Sequence, residues 1–132
     1  MKYFLAILSL GFIMMSFTPQ DPGSKMQDTS VIINALKSGS ADEVSRHFDN
    51  YIDLKLPEKD EIKNMGKNQA GIALKSFFND NGIKGFELTS QRETNGTAYI
   101  TGKLQNSGKG YNITILLKNK DNQPQIITVR IN

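Results

Sequence analysis

The stretch Phe86–Ile131 reads FELTSQRETNGTAYITGKLQNSGKGYNITILLKNKDNQPQIITVRI, and its dominant feature is alternation. Successive side chains of a strand point to opposite faces, so a sheet covered on one side shows an apolar residue at every second position. Phe86 and Leu88 share one face, as do Ala98, Ile100, Gly102 and Leu104, then Tyr111, Ile113, Ile115 and Leu117, then Ile127, Val129 and Ile131. Between them stand Glu87, Thr89, Gln91, Thr101, Lys103, Asn112, Thr114, Thr128 and Arg130. This pattern predicts four strands, Phe86–Glu93, Thr97–Gln105, Lys109–Lys118 and Gln125–Ile131, with one dry face and one wet face. Asn95-Gly96, Asn106-Ser107-Gly108 and Asp121-Asn122-Gln123-Pro124 are short runs of turn formers. Connections this short join only antiparallel neighbours, so the strands form a meander.

Upstream, the spacing turns helical. Val31, Ile32, Ala35 and Leu36 recur at helical intervals over Asp28–Lys37, and Gly39 marks the end. Ser40-Ala41-Asp42-Glu43 has the form of a capping box and starts a second helix, with Val44, His47, Phe48 and Tyr51 along one face. Ile52, Leu54 and Leu56 alternate with Asp53 and Lys55, which predicts a short strand over Tyr51–Pro57. A second short strand is expected around Glu61–Met65. Asn68 then caps a helix over Gln69–Asn79, whose stripe Ala70, Leu74, Phe77 and Phe78 is amphipathic. The two phenylalanines are the expected plug over the sheet. The fold class is therefore α+β: a curved antiparallel sheet, made of the meander plus one or two earlier strands, with about three helices packed on its concave face.

The order of elements resembles the nuclear transport factor 2-like cone, also called cystatin-like. The chain is also similar to a family of small exported bacterial proteins, the domain of unknown function 4783 family. That resemblance is carried by Ile33-Asn34-Ala35-Leu36-Lys37-Ser38-Gly39, Phe48, Gln69-Ala70, Phe77-Phe78, Phe86, Tyr99-Ile100-Thr101-Gly102-Lys103-Leu104, Gly110-Tyr111-Asn112-Ile113 and Leu116-Leu117-Lys118. These are mostly packing and turn residues. Ser90 stands where the family tends to carry a histidine, and Asn112 where it tends to carry an arginine. The resemblance implies a fold and brings no activity, ligand or catalytic residue with it.

The chain has 132 residues, enough for one domain. Residues 1–19 read as a signal peptide, with Met1-Lys2 as the positive start and Tyr3–Phe17 as an uncharged apolar run. That run is short of the ~20 residues a membrane span needs. Residues 20–28, with Pro22 and Gly23, read as a flexible leader, and residues 29–132 as the single domain. The expected location is outside the bacterial cytoplasm, in the periplasm or beyond, with no stable membrane insertion after processing. Cysteine is absent, which removes disulfides, thiol nucleophiles and thiolate metal sites. The formal charge is +3, and the lysines are dispersed rather than gathered on one face, so a nucleic-acid partner is not expected. No metal or cofactor is expected either; Asp80-Asn81 and Asp121-Asn122 are too sparse for a calcium loop.

His47 is the only histidine. On a continuous helix it would share a face with Tyr51, and with Asp53 nearby the group could do general acid–base work in a small isomerase or dehydratase. The preferred reading has His47 packing its ring at the core edge. A ligand pocket in the hollow would be lined by His47, Tyr51, Phe78, Ser90, Arg92 and Tyr111, with Ser90 and Arg92 continuing the core face beyond Leu88. On the outer face Tyr99, Leu116 and Ile126 form the candidate patch for a homodimer through the sheet. The expected role is a non-enzymatic binding module for a small ligand or an envelope protein.

Overall fold

The computed structural model describes residues 29–132. The expected signal peptide and leader lie outside the described residues. The elements run α1 (Ser30–Lys37), α2 (Ala41–Ser45), β1 (Phe48–Lys55), β2 (Ile62–Gly66), α3 (Lys67–Asp80), β3 (Gly85–Thr94), β4 (Thr97–Gln105), β5 (Tyr111–Lys120) and β6 (Gln123–Ile131). The six strands form one curved, unclosed sheet in the order β2-β1-β6-β5-β4-β3. The three helices cover its concave face, with α1 over β3, α3 over β1 and α2 between the two helices.

The meander forms as its alternation requires. Ala98, Ile100 and Leu104 of β4 and Ile113, Ile115 and Leu117 of β5 are buried, and so are Val129 and Ile131 of β6. Ile32 and Leu36 of α1, Val44 of α2, and Leu74 and Phe78 of α3 close over them. Burying one Phe side chain contributes roughly 2–3 kcal/mol, so a single layer of such contacts carries the domain. Two early strands join the meander. β2 pairs antiparallel with β1, and β1 lies parallel to β6. Parallel pairing is open to β1 because β2, α3 and β3 to β5 separate it from β6, a connection long enough to cross over.

Three expectations fail by one residue of register. Leu88 faces Gly102, but Ser90 faces Thr101, so Thr89 is an extra residue in β3. A bulge of this kind exchanges the two faces of everything beyond it. Ser90 and Arg92 therefore lie on the outer face opposite Thr101 and Tyr99, and do not continue the core face. Gln91 and Glu93 take the concave side, opposite Ile100 and Ala98, and the Gln91 amide donates to the Thr29 hydroxyl ahead of α1. In β6, Leu116 faces Thr128 while Leu117 faces Ile126, which makes Ile127 the extra residue. Ile126 is 0% exposed in the core and is no part of an outer patch.

The second helix is also shorter than expected. Ser40 caps it, accepting from the Glu43 amide at 3.2 Å, but the Glu43 side chain pairs with Arg46. The helix stops at Ser45, and the His47 carbonyl accepts from the Ile126 amide at 2.7 Å. That bond recruits the backbone into the sheet and opens β1 at Phe48, which is buried against β6. α3 starts at Lys67 after an N-cap at Gly66, so Asn68 sits inside its first turn rather than capping it. Asp121 and Asn122, at φ of 54° and 61°, make a two-residue hairpin turn, and Pro124 belongs to β6 rather than to the loop.

Gly102 of β4 has no room for a side chain. A Cβ there would collide with the Glu87 carbonyl oxygen and the Phe86 ring. Glycine within a strand marks such a close approach, and the Thr89 bulge lies beside it, its hydroxyl donating to the Thr101 carbonyl at 3.0 Å. Gly102→Ala is expected to lower stability by an amount at or above the upper end of the roughly 1–3 kcal/mol seen for overpacking, because backbone blocks relief. Gly108→Ala meets only the Asn106 Oδ1 at 3.5 Å and serves as the near-neutral control in urea denaturation. Equal midpoints for the two variants would refute the role of Gly102.

Candidate functional site

One cleft is built from three separate pieces of chain. It has a volume of about 440 Å³, inside the range of small-molecule sites. Ala73, Ser76, Phe77 and Asp80 face it from α3, at positions i, i+3, i+4 and i+7 of one helical face. Leu56, Pro57, Glu58 and Lys59 form the opposite wall, and Asn81 and Tyr111 close the end where α3 stops and β5 starts.

Each piece is held by local chemistry. The Lys59 amide donates to the Leu56 carbonyl at 3.2 Å, closing a turn with Pro57 second and Glu58 third. Glu58 has φ of 62°, a conformation that glycine or asparagine fills at no such cost in a type II turn. At the other end, Gly82 with φ of 60° terminates α3, and the Ile83 amide reaches back to the Phe78 carbonyl at 3.0 Å. Asn81, just before it, is a junction. Its Oδ1 accepts from the Tyr111 hydroxyl at 2.8 Å, and its Nδ2 donates to the Phe77 carbonyl at 2.9 Å. Its own carbonyl accepts from Asn106 Nδ2 at 2.9 Å. Phe77 meets Tyr111 edge to face, with centroids 5.0 Å apart and planes at 71°. The aromatic pair is thus fixed both by its own packing and by the amide that holds the phenol.

A second, more open cleft of about 510 Å³ lies between α2 and α3, lined by Asp42, Ser45, Arg46, Lys67, Asn68, Gly71, Ile72 and Lys75. Its charges are partly spent within the chain. Lys75 pairs with Asp42 and Arg46 with Glu43, each at 3.4 Å.

The residues expected to form a pocket are dispersed. Tyr111 lines the first cleft. Phe78 lies behind it in the core, 6.5 Å from Phe77 ring to ring. His47 sits at the α2–β1 turn and lines neither cleft. Tyr51 is on β1, 65% exposed, and shares no helical face with His47. Asp53 accepts from the Asn64 amide at 3.0 Å, at the irregularity between β1 and β2. Ser90 and Arg92 lie on the outer face. Of the dimer candidates, Tyr99 and Leu116 are direct cross-strand neighbours on that face, Tyr99 being 45% exposed, without Ile126. Sequence reasoning missed Ser76 and Asp80 on α3, Asn81 just after it, and Glu58 in the turn. The spacing of the α3 residues was visible, but what they face was not. Among the described residues no group of three or more His, Cys, Asp or Glu is placed to hold a metal ion.

The covered, curved sheet with three helices in its hollow defines the nuclear transport factor 2-like, or cystatin-like, class. The chain belongs to the domain of unknown function family DUF4783, whose model matches residues 29–132. A DUF4783 protein from Bacteroides ovatus ATCC 8483 is 24% identical, with 81% of this chain and 96% of that one covered and a TM-score of 0.71. A second, from Bacteroides uniformis ATCC 8492, is 19% identical, with 78% and 94% covered and a TM-score of 0.71. An NTF2-like protein of unknown function from Cytophaga hutchinsonii ATCC 33406 is 10% identical, with 79% and 84% covered and a TM-score of 0.54. At these identities the likeness is one of fold. No curated protein matches the chain.

Burial lowers the His47 pKa below its ordinary 6.5; nearby Glu43 opposes this, while Lys67 and Arg46 add to it. The unfolded chain then takes up the proton first as pH falls, so stability rises with pH across the window from the lowered value up to about 6.5. Urea midpoints measured on both sides of that window should show the loss on acidification, and His47→Gln should flatten it. An unchanged slope in the variant would show that His47 does not carry the effect.

Proposed function

We propose that this protein is a non-enzymatic binding module of the cell envelope that seats a small ligand with an apolar body in the cleft between α3, the Leu56–Lys59 turn and Tyr111. The observation that carries the reading is the Phe77–Tyr111 pair, fixed through Asn81 at the wall of a cleft of ligand size. Binding sites are concave, largely apolar and preformed, with a few fixed polar groups that orient the guest. Export rests on Met1-Lys2 and the apolar run Tyr3–Phe17, and fractionation of cells expressing the full chain tests it.

An isomerase or dehydratase centred on His47 has less in its favour. A general base needs an adjoining cavity, an orienting partner and a substrate within hydrogen-bond reach. His47 lines neither described cleft, and Tyr51 and Asp53 do not converge with it there.

NMR titration of the labelled protein with a set of small neutral aromatic fragments tests the proposal. Shifts should concentrate at Leu56–Lys59, Ala73–Asn81 and Tyr111, and Phe77→Ala should weaken them severalfold. Shifts confined to other surfaces, or none at any fragment, would contradict the cleft as the binding site.

A further inference from the structure

We infer that the ligand of this cleft carries a positively charged amine, an ammonium group attached to an apolar or aromatic body. The inference rests on the binding reading given above and adds the chemical class of the guest.

Two carboxylates belong to the lining, Glu58 from the turn and Asp80 from α3. Both are exposed at the rim, and among the described residues neither takes part in a hydrogen bond or an ion pair. Lys59 is the one cation in the lining, so the rim stays net negative. An anionic guest would meet two like charges there, whereas an ammonium would meet two acceptors with no partner of their own. The apolar wall adds to this preference. In a T-shaped pair the ring that presents its edge keeps both faces clear of its partner, and an aromatic face attracts a cation. The Tyr111 hydroxyl proton is already engaged by Asn81, so the phenol has no spare donor for an anion.

Both acids also occupy places that local physics disfavours. Glu58 holds a positive φ where glycine would fit without strain. Asp80 ends α3, where the helix dipole favours a cation and where the last turn holds no basic residue. A folding argument alone would put other residues at both positions, and a shared cationic guest accounts for the two together.

Paired NMR titrations with benzylamine, protonated at pH 7, and benzyl alcohol test this on the intact protein. Both probes should shift Phe77, Asn81 and Tyr111, and benzylamine should bind about three- to fivefold more tightly in low salt. The preference, read as the ratio of the two affinities within one protein, should fall in high salt and vanish in the double variant E58Q/D80N, whose folding is checked by its native spectrum. Equal affinities, or tighter binding of benzoate, would overturn the amine while leaving the cleft intact as a site. Shifts absent from Phe77, Asn81 and Tyr111 with every probe would overturn both.

Discussion

Three short helices can cover six strands only if the sheet bends around them, and at one glycine two strands lie too close to admit a side chain. At Gly102 the Phe86 ring and the Glu87 carbonyl occupy the space a side chain would need. The neighbouring strand carries Thr89 as an extra residue beside it. Everything past that point on β3 changes face, which turns Gln91 inward to bond Thr29 and ties the start of α1 to the sheet. The same device recurs at Ile127 in β6, where it moves Ile126 into the core beneath the helices. The placing of α1 and the filling of the hollow therefore both depend on these two register slips.

These slips also explain which parts of the architecture could be read from the amino acids. β4 and β5 pair without a bulge from Thr97 opposite Lys118 to Leu104 opposite Tyr111, and their alternation maps directly onto burial. Thr89 and Ile127 are ordinary strand residues, and nothing local distinguishes an extra threonine or isoleucine from a paired one. The faces assigned beyond them were inverted for that reason, at Ser90, Arg92 and Ile126. The end of α2 was hidden differently. Val44, His47, Phe48 and Tyr51 do fit a helical face, but the bond from the Ile126 amide to the His47 carbonyl belongs to a partner nearly eighty residues away. Tertiary pairing overrides local periodicity in such cases.

The cleft was less legible than the core because no contiguous motif encodes it. It combines a turn after β1, the Ala73, Ser76, Phe77 and Asp80 face of α3, and the first residue of β5. Phe77 and Phe78 are adjacent in sequence and look equivalent there. In the fold Phe78 is buried at 3% exposure under the helix, while Phe77 is half-buried and turned to Tyr111. Asn81 reads as a helix terminator, and it is one, but its side chain also fixes the phenol and the end of α3. A residue can serve a turn and a site at once, and only the second role depends on what the chain brings alongside it.

That division between two neighbouring phenylalanines is the most direct place to test the whole account. Equilibrium unfolding of Phe78→Ala and Phe77→Ala should give unequal losses. The buried ring should cost about 3–5 kcal/mol, and the half-buried one no more than about half as much. Equal losses, or a larger loss for Phe77→Ala, would mean that the cleft wall belongs to the core and that the helix sits on the sheet in another way.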